Sequence, residues 1–138
     1  MKYLILFGFL IFSISFSAQE QEATFVYSSV LQSGEQLVFG NKSIRFKEVI
    51  SDSRCPKDVT CVWAGEAKVL IEIFENGNRM SEKLVVINPN IIDKIPLHFS
   101  AGVGIYSISS FRLFPYPCTN SKKAKMNYRL ELQVSENL

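Results

Sequence analysis

From Gly34 onward, apolar and polar side chains alternate in short runs, and no run sustains a period near 3.6. The clearest run is Asn127 to Ser135. Tyr128, Leu130, Leu132 and Val134 fall on one side of it, and Arg129, Glu131 and Gln133 on the other. A period of two is the signature of a strand with one buried and one wet face. Glu66 to Glu75 predicts a second strand, with Ala67, Val69, Ile71 and Ile73 on one face and Leu70 and Phe74 on the other. Ser43 to Ile50 sets Ile44 and Phe46 against Arg45 and Lys47, then slips at Glu48-Val49-Ile50, where a β-bulge is expected. Ile105 to Phe114 is a further strand, with a slip at Ser109-Ser110.

Turn residues separate these runs. Asn76-Gly77 is the strongest hairpin signal, because both residues tolerate the positive φ of a tight turn. Arg79 to Asn88 returns as the partner strand, with Leu84, Val85, Val86 and Ile87 expected to be buried. Ser33-Gly34 and Gly40-Asn41 bound a short strand from Glu35 to Phe39, and Thr24 to Leu31 is a poorly patterned strand before it. Ile91 to Ser100 is apolar, but Pro96 argues against a central strand. Ala101-Gly102-Val103-Gly104 is a turn. Pro115-Tyr116-Pro117 ends the strand before it, and Cys118 to Met126 is a polar loop. Seven or eight short strands of this kind predict an all-β fold: a single antiparallel, immunoglobulin-like β-sandwich, with a small β-barrel as the alternative.

Residues 1–17 stand apart. Lys2, an apolar run from Tyr3 to Phe12 and small residues at Ser13, Ser15 and Ser17 have the plan of a secretory signal peptide. The run is short for a membrane span, and serines interrupt it. The expected organisation is therefore a signal at 1–17 and one β-sandwich domain at 18–138. The protein would be exported, periplasmic or secreted, with no transmembrane segment after cleavage. The mature chain would carry 14 basic and 13 acidic side chains, so it lacks the basic excess that nucleic-acid binding needs.

The rare residues gather between Asp52 and Gly65. Cys55 and Cys61 flank Pro56, Lys57 and Asp58, and export permits a disulfide between them. In the chain-entropy model so small a ring contributes about 2 to 2.5 kcal/mol before strain. Cys118 is the alternative partner of either cysteine, and an odd count leaves at least one thiol outside an intrachain bridge. Trp63, two residues beyond Cys61, is expected to be a core anchor packed on the disulfide; the competing reading is an exposed aromatic platform. Arg54 is expected to brace the loop through Asp52 or Asp58. The sharper reading makes Arg54, Lys57 and Asp58 a partner-binding loop. The spacing is not a zinc pattern, and His98 is the only histidine, so neither metal nor cofactor is expected. No nucleophile motif, metalloprotease motif or phosphate cradle is present, so no enzymatic activity is expected.

Asp52-Ser53-Arg54-Cys55-Pro56 followed by Val59-x-Cys61-Val62-Trp63-Ala64-Gly65-x-Ala67-x-Val69 resembles a family of small secreted or lipoprotein-type bacterial proteins of uncharacterised function. Pro115-Tyr116-Pro117 and Tyr128-Arg129-Leu130-x-Leu132-x-Val134 extend the likeness to most of the mature chain. The resemblance implies a bacterial cell-envelope or secreted β-domain and brings no catalytic residues. This chain lacks the lipid-accepting cysteine of the lipoprotein members. The expected function is a non-enzymatic binding or envelope-associated structural module whose partner is left open, a protein being the candidate class. The alternative is a protease inhibitor that presents the Cys55–Cys61 loop, with Lys57 offered to a trypsin-like pocket; a hydrolase using acidic residues comes third.

Overall fold

The computed structural model describes residues 24–89, 97–101, 104–120 and 126–137; for 97–101 it describes the backbone alone. The expected signal at 1–17, the Pro96 segment, Gly102 and Val103, the lysines at 122, 123 and 125 and the side chain of His98 lie outside the described residues. Eight strands are present: β1 (Thr24–Gln32), β2 (Gln36–Phe39), β3 (Lys42–Asp52), β4 (Ala67–Glu75), β5 (Asn78–Ile87), β6 (Leu97–Ala101), β7 (Gly104–Phe114) and β8 (Arg129–Asn137).

The strands form two four-stranded antiparallel sheets, ordered β1-β8-β7-β6 and β2-β3-β4-β5. Among the described residues no ladder joins the two, so the fold is a sandwich and not a closed barrel. Each sheet is largely a meander, so the likeness to an immunoglobulin domain lies in the two layers rather than in interleaved strands. The expected hairpins form where the turn chemistry is strongest. Asn76 and Gly77 both take positive φ, 51° and 79°, and Gly40 joins β2 to β3 at φ 52°. The slips in alternation are real register shifts. β3 shifts against β4 between Phe46 and Glu48 and again between Val49 and Ser51, and β7 shifts against β8 between Ile108 and Ser110.

The core follows the alternation. Phe46 and Ile44 from β3 and Val69, Ile71 and Ala67 from β4 meet Leu130, Leu132 and Val134 from β8 and Ile108 and Leu113 from β7. At one end Phe39 of the second sheet packs on Tyr106 of the first, with ring centroids 5.1 Å apart. The expected burial of β5 holds only at Val85. Leu84 is exposed and Val86 and Ile87 are partly buried, because β5 is an edge strand with cover on one face only. The outer face of that sheet is held by charge. Glu72 is nearly buried beneath Arg45, Lys47 and Arg79 at 3.6, 3.7 and 3.2 Å, and Glu82 pairs with Lys47 and Arg79 at 2.7 Å. Pairs with exposed partners contribute about 0–1 kcal/mol each, so the cohesion of the domain rests on the apolar layer.

Phe46 is fully buried at the centre of that layer. Phe46→Ala is expected to lower unfolding free energy by about 3–5 kcal/mol, whereas Leu84→Ala should cost under about 1 kcal/mol. Urea denaturation followed by tryptophan-independent circular dichroism measures both.

Candidate binding loop

Between β3 and β4 the chain leaves the sheet but keeps pairing for two more steps. Ser53 N–H donates to Glu66 O at 2.8 Å, Cys55 N–H to Ala64 O at 2.8 Å, and Ser53 Oγ to Glu66 O at 2.9 Å. This narrow neck forces a close approach at Gly65, which sits at φ 69°. A Cβ there would lie 1.9 Å from Ser53 O, a backbone atom that cannot step aside. Only glycine fits both the left-handed φ and the contact. Beyond the neck, Cys55 and Cys61 form the expected disulfide, with Cα atoms 5.9 Å apart. Cys118 lies outside this bridge and is half-buried.

What fixes the loop to the body is Arg54. Its side chain is 3% exposed and grips Asp52 with two parallel bonds, Nε to Oδ1 and Nη2 to Oδ2, both 2.8 Å. The remaining donors cross to the other sheet: Nη1 to Leu113 O at 2.7 Å and Nη2 to Pro115 O at 3.0 Å. Tyr116 lies flat against the guanidinium, 4.6 Å from ring centroid to Cζ. Tyr128, at the entrance to β8, donates its hydroxyl to Asp52 Oδ2 at 3.1 Å. A buried carboxylate and a buried guanidinium thus have partners on both sides, which such charges require. Further out, Lys57 N–H donates to Pro117 O at 3.0 Å. Asp58 accepts from Thr119 N–H at 2.9 Å and from the Thr119 hydroxyl. The loop is therefore laced to residues 113–119, a strap that leaves β7 through a cis Phe114–Pro115 peptide.

Electrostatics at this clasp follow from the contacts. Burial alone would raise the Asp52 carboxyl, but the bonds and charge of Arg54, joined by Tyr128, outweigh it and hold the carboxyl below its usual range. Tyr128 is pushed up to about 12 by burial and by the negative charge of Asp52. Asp58 is held low by the Thr119 bonds.

The structure separates the residues that sequence grouped as a recognition loop. Arg54 is a brace, as the Asp52 pairing was expected to make it, but it is buried and presents no group to a partner. Lys57 and Asp58 are exposed, though Asp58 is committed to Thr119. Trp63 is not a core anchor: it is 71% exposed. The reason is where the strand begins. Residues 61–66 are irregular and β4 starts at Ala67, so alternation does not carry inward from Cys61, which is itself exposed. The inward positions of the loop are taken by Arg54 and the strap. Val62, fully exposed, and Val59 join Trp63 as the exposed apolar side chains of the loop, its apolar tip. Sequence reasoning missed Tyr116 and Tyr128 as parts of the clasp. Pro115-Tyr116-Pro117 signalled only a strand end, and the phase of β8 placed Tyr128 on the core side without naming its partner.

Among the described residues no group of three His, Cys, Asp or Glu side chains is placed to hold a metal ion, and no helix is long and apolar enough to cross a membrane. Two hollows flank the clasp. One, of about 590 Å³, lies beside Lys57, Tyr116, Cys118, Met126 and Tyr128. The other, of about 560 Å³, lies between the end of β5 and the end of β7, with Arg54 in its wall. Comparison of the chain with family models, curated proteins and solved structures gave no match.

Arg54→Met leaves the buried Asp52 carboxylate without its cation and two carbonyls without their donors. It is expected to cost about 3–5 kcal/mol, the range for breaking one partner of a buried pair. The pH dependence follows from the same contacts. The Asp52 carboxyl is lowered by folding, so its contribution is complete above the unfolded value and is lost as pH falls below about 4. The Tyr128 phenol is raised, so its contribution is complete below about pH 10 and is lost as pH climbs toward about 12. Thermal melts across pH should show both limbs, and Asp52→Asn should flatten the acid limb at a lower overall stability.

Proposed function

We propose that this protein is an exported, non-enzymatic binding module that engages a protein partner through the apolar tip of the Cys55–Cys61 loop. The observation that carries this reading is the exposure of Trp63 and Val62 on a loop whose base is fixed by Gly65, Arg54 and Asp58. Large apolar side chains on a surface cost solubility, and tryptophan is the residue type most often dominant in protein interfaces. A loop already held in one conformation loses little entropy when it binds. Export is supported by the signal-like pattern of residues 1–17 and by a disulfide, which persists in oxidising compartments. The resemblance to secreted bacterial proteins supports the same location.

Protease inhibition is the second reading, supported by the exposed Lys57 side chain inside the disulfide ring. It has a weakness in the main chain. An extended inhibitory segment adds to its target through backbone hydrogen bonds, and the Lys57 N–H is already donated to Pro117 O.

Mature protein immobilised on beads should retain one or a few specific proteins from an envelope or culture-medium fraction of its source cells. Val62→Ser/Trp63→Ser should lose them while melting within about 0.5 kcal/mol of the parent, as surface substitutions do. Retention unchanged in that variant would defeat the tip as the binding element. Trypsin inhibition at micromolar protein that disappears in Lys57→Ala would instead favour the second reading.

A further inference from the structure

Four strands bound the two sheets, and three of them are guarded. β2 is only four residues long and β6 only five. β5 carries Arg79, Glu82 and Lys83, and its register against β4 shifts between Ile73 and Phe74. Short length, charge and bulges are the usual means of keeping an edge from pairing with another chain. β1 has none of them. It runs nine residues without a charge, a proline or a glycine, and its register against β8 is unbroken from Thr24 to Gln32. Four large side chains on it, Phe25, Val26, Tyr27 and Val30, are exposed. Among the described residues β1 has β8 on one side and no strand on the other.

The direction of the free main chain follows from the last residue of the strand. Gln32 N–H donates to the Glu35 carboxylate at 2.7 Å and so is turned away from β8. N–H and C=O groups point to alternate sides along a strand. Val26, Ser28 and Val30 therefore share the direction of Gln32 and present both groups to the open side. Leu31 is buried, so the same alternation sets the side chains of Val26, Ser28 and Val30 on the outer face of the sheet. The links outside the described residues begin and end elsewhere. Residues 90–96 and 102–103 lead into and out of β6, at the far edge, and 121–125 leave and rejoin the chain beyond the Gln32–Arg129 pair. Of the expected mature N-terminus, residues 18–23, a turn back would take two. The other four would reach no further than Tyr27.

The exposed pattern is a palindrome. On the outer face β1 reads Val26, Ser28, Val30, the same from either end. Antiparallel pairing about a two-fold axis sets Ser28 against Ser28 of a second copy, and Val26 against Val30 on both sides of it. All three open residues of each copy are then matched, and Gln32, whose N–H is taken, falls at the margin. On the inner face Phe25 meets Leu31. No like charges meet across the pair, the arrangement that would oppose it. A foreign strand could use the same main-chain groups; the palindrome favours a second copy.

We propose that β1 pairs antiparallel with β1 of a second copy, two-fold about Ser28, and joins two four-stranded sheets into one continuous sheet. Such an interface is isologous and closes after two copies. Gln32 and Lys57 border the same hollow, so the Cys55–Cys61 loop lies at the Gln32 end of β1, and the dimer carries its two tips at opposite ends. The pairing goes beyond the partner proposed for the tip and does not depend on it.

Sedimentation equilibrium of the mature chain from roughly 1 to 300 μM is expected to show a reversible monomer–dimer equilibrium. Ser28→Pro removes an N–H that only the second copy would use, a position where an edge strand tolerates proline. It should weaken the dimer about tenfold or more, since two hydrogen bonds across the axis are lost, and leave the monomer's melting temperature unchanged. Ser29→Pro, one residue on, removes a donor to β8 and should lower that temperature. Ser28→Lys sets like charges face to face and gives the same loss of dimer if the proline variant folds poorly. In a Cys118→Ser background, Ser28→Cys should cross-link with itself on oxidation, because facing residues lie about 5.5 Å apart at Cα, within disulfide reach. Val26→Cys and Val30→Cys should cross-link when mixed and not alone. A chain that stays monomeric over the whole range overturns the proposal and leaves the edge to a strand of another protein. A dimer untouched by a folded Ser28→Pro or Ser28→Lys variant overturns it too, as does a dimer in which Ser28→Cys fails to cross-link. Partner capture through Val62 and Trp63 is measured separately, so the two readings fail separately.

Discussion

Arg54 does for this sandwich what a disulfide between sheets does in others. Its base sits just past the end of β3, its charge is met by Asp52 from that strand, and its remaining donors end on carbonyls at the exit of β7 in the opposite sheet. Each half of the arrangement requires the other. A guanidinium drawn into the interior needs an anion and further acceptors, and the chain supplies the anion two residues away and the acceptors about sixty residues away. Asp52 in turn is shared with Tyr128, which ties the entrance of β8 to the same point. One buried pair therefore gathers the ends of three strands and the base of the loop. It helps hold together an end of the sandwich that the Phe39–Tyr106 contact does not reach.

The strand pattern was legible because it rests on local chemistry. Asn76-Gly77 specifies its hairpin whatever surrounds it, and the alternation in β8 has one solution with a wet and a dry face. The slips at Glu48-Val49-Ile50 and Ser109-Ser110 were visible for the same reason, since an extra residue shifts the phase of everything after it. Trp63 was misplaced because an inward phase was carried from Cys61 along a strand taken to begin at Val62. Whether an indole turns inward depends on where β4 begins, and the neck closed by Gly65 delays that start to Ala67. The strap presented a different difficulty. Most of its hydrogen bonds to the loop come from backbone atoms of Leu113, Pro115, Pro117 and Thr119, which carry no side-chain signal, and only the Tyr116 ring and the Thr119 hydroxyl add side-chain contacts. Long-range main-chain acceptors are invisible to any reading of side-chain types. The disulfide was readable from the signal-like pattern of residues 1–17 and the cysteine spacing together.

Charge is distributed to the same plan. On the outer face of the second sheet, Glu72 sits under three cations, a lattice that keeps a broad surface polar without adding much cohesion. At the clasp the charges are few, buried and bonded, and their protonation is coupled to the fold. The molecule thus keeps its buried, bonded charges where structure is at stake.

The fastening of the loop has a consequence for how its tip can change. Arg54 and Lys57 hold the strap by carbonyl oxygens, and every residue type offers the same carbonyl. On the loop side, the neck asks for glycine at position 65 and the Ser53 hydroxyl, the disulfide for its two cysteines, and the fastening for Asp52, Arg54 and Asp58. Residues 59, 60, 62 and 63 appear in none of the side-chain contacts that hold the loop to the body. The domain is in this sense a mount with an interchangeable head: a few fixed side chains and main-chain acceptors make the frame, and new specificities can be written at the tip without renegotiating the fold beneath it.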